Sequence, residues 1–169
     1  MRFARIGFRE FVKDLLDHGY EMGINDMLQA YDSIKKPERQ TIGSAGYDFR
    51  SPMDITIGPG QSAIVPTGIR AVFNEDEIGT WCLQLFVRSS VGHKDGVVIS
   101  HGTGIIDSDY QFAENSGDIL MALRNTSDKT VSFRRGARIC QGVFLIHGVT
   151  QDDTAAGRRT GGMGSTGRE

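Results

Sequence analysis

Cysteine, proline and long apolar runs are scarce in this chain, and each scarcity narrows what it can be. Among 169 residues the two cysteines, Cys82 and Cys140, form no CxxC pair, and the four histidines (His18, His93, His101 and His147) lie in no HExxH context. Zinc chemistry therefore lacks its usual ligand spacing. No GxSxG elbow and no Walker A lysine loop occurs, so serine-hydrolase and P-loop readings have no residues to rest on. No apolar stretch approaches the ~18 residues of a membrane span, and the first residues carry no cleavable signal pattern. The expectation is a soluble, reduced, cytoplasmic protein with no membrane contact. A formal net charge of −2 supplies no basic field for bulk nucleic acid. An anionic ligand must then be met by individual arginines.

What is present divides the chain into three. Over residues 1–36, Phe8, Phe11, Val12, Leu15 and Leu16 recur at helical spacing, with Gly19 placed to end the turn. A second short helix is predicted to follow, capped by Asn25, with Ile24, Leu28 and Tyr31 on one face. From Pro37 to about residue 150 the pattern becomes short β-rich runs ("QSAIVP", "TWCLQLFV", "GVVIS", "DILMALRN", "KTVSF", "ARICQGVFLIHGV") between Gly, Pro, Asn and Asp turn signals. Many short strands with no helices between them predict an all-β sandwich or barrel. Residues 151–169 are small, polar and glycine-rich, and are expected to be mobile on their own. Within them Gly162 to Gly167 fits the letters of GxGxxG, but no strand leads in and no helix pattern leads out, so the dinucleotide reading fails.

Chemistry-bearing residues fall on the turns. Arg88, Ser89 and Ser90 end an apolar strand, and a guanidinium with two hydroxyls suits phosphate oxygens. The ordinary alternative is a solvated strand end. Asp107 and Asp109 alternate in "GIIDSDY" and would lie on opposite faces if extended, leaving one acid for any given site. Asp48 in "SAGYDF" is a possible cation partner.

Taken in order, "SAGYDF" (44–49), "RSSVG" (88–92), "GIIDSDY" (104–110), "RICQG" (138–142) and "RRTGGMGSTG" (158–167) resemble the five motifs of the trimeric deoxyuridine triphosphatases (dUTPases). The resemblance spans roughly residues 37–167. It implies a jelly-roll-like β-barrel, a homotrimer with sites at subunit interfaces, and Mg²⁺-assisted hydrolysis of dUTP to dUMP and pyrophosphate. By that resemblance Asp107 orients and deprotonates the attacking water and Tyr110 packs on the deoxyribose. Arg88, Ser89 and Ser90 cradle phosphate, and Gln141 fixes the phosphates and the catalytic water. Asp48 meets the magnesium through water, and Arg158 reaches the terminal phosphate from an arm that closes over the nucleotide. His101, Ile105, Ile106, Met163, Gly164 and Ser165 complete the expected substrate contacts.

The chain departs from the family pattern at several points. Met163 stands where the arm usually has an aromatic residue, Arg159 where glycine is common, His101 where asparagine is frequent and Val87 where proline is. "FAENS" intervenes between Tyr110 and Gly117-Asp118, and is expected to be a five-residue surface insertion, Phe112 to Ser116. The helical segment lies outside the resemblance, either as a cover on the barrel, as a subunit contact or as a docking surface for another macromolecule. Two other functions stay open: a dCTP deaminase-like enzyme of similar fold, or a regulatory protein that binds the nucleotide without turning it over.

Overall fold

The structure is a computed structural model and describes residues 1–157, 159 and 161. The chain opens with β1 (Arg2–Arg5), α1 (Phe8–Asp17) and α2 (Ile24–Asp32), and continues through β2 (Tyr47–Arg50), β3 (Ile55–Ile57), β4 (Ser62–Pro66), β5 (Ile69–Val72) and β6 (Trp81–Val87). After these come β7 (Val97–Ile99), β8 (Gly104–Asp107), β9 (Leu120–Asn125), β10 (Val131–Phe133) and β11 (Arg138–Ile146). Antiparallel pairing arranges them as a four-stranded sheet β2-β11-β6-β8, a three-stranded sheet β4-β9-β7, and the pairs β1-β5 and β3-β10. The all-β, jelly-roll-like expectation is met.

Alternation explains the layering. Along β6, Leu83 and Leu85 turn inward with 0% and 1% exposure, while Gln84 and Phe86 are only partly covered. β9 carries near-continuous burial, Leu120 to Leu123, because both of its faces are covered. At roughly 25 cal/mol per Å² of apolar surface removed from water, such fully buried Leu, Ile and Phe side chains each contribute about 1.5–3 kcal/mol.

The N-terminal segment is built into the same core. Phe11 and Leu15 are fully buried, together with Met27 and Ala30, in one cluster with the strand residues Ile57, Val65 and Leu83. The inner face of these helices covers the barrel. Gly19 ends α1 as expected, with φ +79°, where the left-handed turn brings the Tyr20 amide to the Leu15 carbonyl at 3.0 Å.

Three details differ from the sequence reading. Residues 2–5 are a strand: β1 alternates with too short a run to signal itself, and forms because β5 offers it a partner edge. The α2 cap is Gly23, not Asn25, and no side chain caps the helix. Its inward face is Met27 and Ala30, whereas Ile24 is 61% and Leu28 45% exposed. No helix among the described residues is long and apolar enough to cross a membrane.

Candidate active site

Two groups of polar side chains are set by the four-stranded sheet. The first lies where β2, β11 and the end of β6 meet. Register places Gln141 of β11 between Asp48 of β2 and Phe86 of β6. Asp48 is 6% exposed and holds two guanidinium groups, Arg88 Nε on Oδ1 at 3.0 Å and Arg138 on Oδ2 at 3.2 Å. A buried carboxylate needs such partners. Because that ion pair uses Nε of Arg88, its terminal nitrogens remain for an anion, in a fork whose direction is fixed. Ser89 and Ser90 follow at the exposed start of a helical turn that continues through Val91–Asp95. A cleft of about 430 Å³ opens here, lined by Gly46, Asp48, Arg88, Ser89 and Gln141 among others. Gly46 packs close against Gln141: a Cβ there would stand 2.6 Å from its Oε1 and 3.1 Å from its Cβ.

The second group is at the end of β8. The expectation that Asp107 and Asp109 face opposite ways is overturned, because the strand stops at Asp107 and Ser108–Phe112 winds into a tight helical turn. That turn brings Asp109 round beside Asp107. Arg159 spans both, at 2.6 Å from Asp107 Oδ2 and 3.2 Å from Asp109 Oδ1, with its guanidinium 5.4 Å from the centre of the Tyr110 ring. Tyr110 is 8% exposed, and burial above all pushes its hydroxyl pKa up. Its hydroxyl donates to the Asp118 carbonyl at 3.0 Å and accepts from Asn115 at 3.0 Å.

Of the remaining predicted contacts, His101 is exposed in the β7–β8 turn and Ile105 is 52% exposed, on the same face of β8 as Asp107. Ile106 turns into the core at 8% exposure, so only its backbone is available to a ligand. Arg158, Met163, Gly164 and Ser165 lie outside the described residues. Arg138, Gly46, Asn115 and Asp118 were not singled out from the sequence. Arg138 and Gly46 sit inside quoted motifs, but nothing local signals that they serve Asp48 and Gln141.

The donor set suits a particular kind of metal. No group of three or more His, Cys, Asp or Glu side chains that could hold an ion occurs among the described residues, and both Asp48 oxygens already carry arginines. A Mg²⁺ ion that arrives on substrate phosphates and keeps its waters fits this arrangement, with Asp48 at most an outer partner; a protein-caged ion does not.

Known proteins resemble the chain in both sequence and fold. The dUTPase family model matches residues 32–167. The deoxyuridine 5'-triphosphate nucleotidohydrolase of Lactococcus lactis is 37% identical over 137 residues, 79% of this chain and 89% of that protein. The chain belongs to the dUTPase family. A second nucleotidohydrolase of that name, from Tolumonas auensis, is 34% identical over 139 residues. Among solved structures, the dUTPase of Streptococcus mutans superposes with a TM-score of 0.67 at 29% identity, over 89% of this chain and 99% of that one. The dUTPase of Staphylococcus bacteriophage 80alpha, at 21% identity and a TM-score of 0.58, shares the fold. Residues 1–31, with β1, α1 and most of α2, precede the family match.

Proposed function

We infer that the chain hydrolyses dUTP to dUMP and pyrophosphate, and that each site joins the Asp107 group of one copy to the Arg88 group of another. The observation that carries this reading is the distance between the two groups. Asp107 lies opposite Cys82 on β6, and Arg88 follows the far end of that strand. Six residues of extended chain set them about 20 Å apart, too far to serve one phosphorus atom. A homotrimer of the family's kind supports bringing them together, each copy supplying one half of each site.

In such a site Asp107 takes the proton from a water aligned with the α-phosphorus while pyrophosphate leaves on the opposite side. Arg88, held by Asp48, and the Ser89 and Ser90 hydroxyls meet the phosphates, and Gln141 orients them and the water. Tyr110 abuts C2' of the sugar and leaves no room for a 2'-hydroxyl, while the exposed His101 reads the uracil edge. When bound with the triphosphate, with Asp48 as an outer partner through water, magnesium would supply charge neutralisation on the phosphates. Arg158, Met163, Gly164 and Ser165 complete the nucleotide contacts. The buried free thiols Cys82 and Cys140 accord with work in a reducing cytoplasm.

Incubation with dUTP, dCTP, dTTP and UTP, following pyrophosphate and ammonia, tests the reading. Pyrophosphate from dUTP, no ammonia from dCTP and poor turnover of UTP are expected, and Asp107→Asn should lower kcat by about 10²–10⁴. Ammonia from dCTP would make the chain a deaminase. Tight dUTP binding without turnover would make it a regulatory binder.

A further inference from the structure

Two acids outside the site are buried where acids are seldom found. Asp14 on α1 is 3% exposed, and Asp118, just before β9, is 0% exposed. Asp118 Oδ1 accepts from the Thr67 hydroxyl at 3.2 Å and from the Ile69 amide at 3.1 Å. Its Oδ2 and the Oδ2 of Asp14 are both buried with no donor among the described residues, and the two carboxyls act on each other directly. Two carboxylate oxygens bond only when a proton lies between them, so one shared proton satisfies both atoms. Without it, two negative charges would face each other away from water.

What this pair holds is the Tyr110 turn. The Asp118 carbonyl receives the Tyr110 hydroxyl, and Asn115 donates to that carbonyl at 3.1 Å and to the hydroxyl at 3.0 Å. Asp118 is thus the peg on which the ring hangs, and Asp14 fixes the peg from a helix that precedes the family match.

We propose that Asp14 is a positioning residue for sugar discrimination: through a proton shared with Asp118, it ties the Tyr110 turn to α1 and so sets how sharply deoxyribose is told from ribose. The proposal rests on the reading of Tyr110 as the sugar-facing ring, whereas the shared proton itself does not. Burial, the largest cause, pushes both carboxyls above the ordinary range, and the Asp14 charge adds to it for Asp118. On α1, His18 and Lys13 oppose that rise at Asp14 and Asp17 favours it. From the turn the facing titratable group is Tyr110. β4 brings none, and on β5 the only charged residue is Arg70, next to Ile69.

The sign follows. Between the ordinary carboxyl pKa and the raised one, the folded chain holds a proton that the unfolded chain has released, so stability falls as pH rises through that window. Wild type, Asp14→Asn and Asp14→Ala are compared by thermal midpoint and by kcat/KM for dUTP and UTP, from mildly acidic to alkaline pH. Asp14→Asn donates an amide hydrogen to ionised Asp118 in place of the proton. It should keep the dUTP preference within about twofold and lose most of the fall in midpoint and in discrimination as pH rises. Asp14→Ala should lower the preference about tenfold, chiefly through KM. An unchanged fall with rising pH in Asp14→Asn would overturn the shared proton, and a folded Asp14→Ala with wild-type discrimination would overturn the positioning role. If Asp14→Ala does not fold, the pH dependence of discrimination in Asp14→Asn decides between the same two results. A wild type that turns over UTP as fast as dUTP would instead remove the sugar reading and leave the midpoint test standing.

Discussion

A guanidinium set between two carboxylates competes with whatever else those carboxylates must do. Arg159 bonds Asp107 Oδ2 and Asp109 Oδ1 of its own chain and lies near the Tyr110 ring, so on the proposed reading it competes with the catalytic water for Asp107. The two acids are 50% and 40% exposed, and half-exposed pairs are worth only about 0.5–1 kcal/mol. Arg159→Ala should therefore lower KM for dUTP about two- to fivefold with kcat nearly unchanged. Steady-state kinetics checks this, and a raised KM would place Arg159 on the substrate phosphates. Residue types were legible here and partners were not. The sequence showed arginine where relatives carry glycine, but nothing in it places that side chain on Asp107. Likewise Asp48 was legible as a possible cation partner, while its clasp by Arg88 and Arg138 depends on register between strands ninety residues apart in the chain.

At the scale of the element, the turn between β8 and β9 departs most from expectation. Read as an insertion, Phe112 to Ser116 looks like a dispensable surface loop, and Phe112 is indeed 64% exposed. Ala113, however, is buried at 5%, Asn115 braces Tyr110 and the Asp118 carbonyl, and Ser116 and Gly117 reverse the chain at φ +58° and +74°. A Cβ on Gly117 would meet backbone at 2.8 Å. Deleting residues 112–116 should cost soluble protein, contrary to the loop reading. Asn115→Ala should destabilise by about 1–3 kcal/mol, the cost of unpaired buried polar groups, measurable by urea unfolding. Strand runs and the first helix were legible because periodicity is local. The bracing was not, since its donors and acceptors are assembled by tertiary contact.

For the whole molecule, a single copy carries the Asp107 group and the Arg88 group at opposite ends of β6, about 20 Å apart by strand length. By resemblance the five motifs already implied a site shared between subunits; the length that separates the parts within one chain follows from the pairing of β6 with β8 and β11. The central claim is that catalysis joins Asp107 of one copy to Arg88 of another. Mixing Asp107→Asn chains with Arg88→Ala chains, exchanging subunits and measuring dUTP hydrolysis tests it directly. Each variant alone should be nearly inactive, and a one-to-one mixture should restore intact pairs at roughly a quarter of the interfaces, with activity to match. A mixture no more active than its components, after exchange has been verified, would contradict the claim and return both groups to one chain.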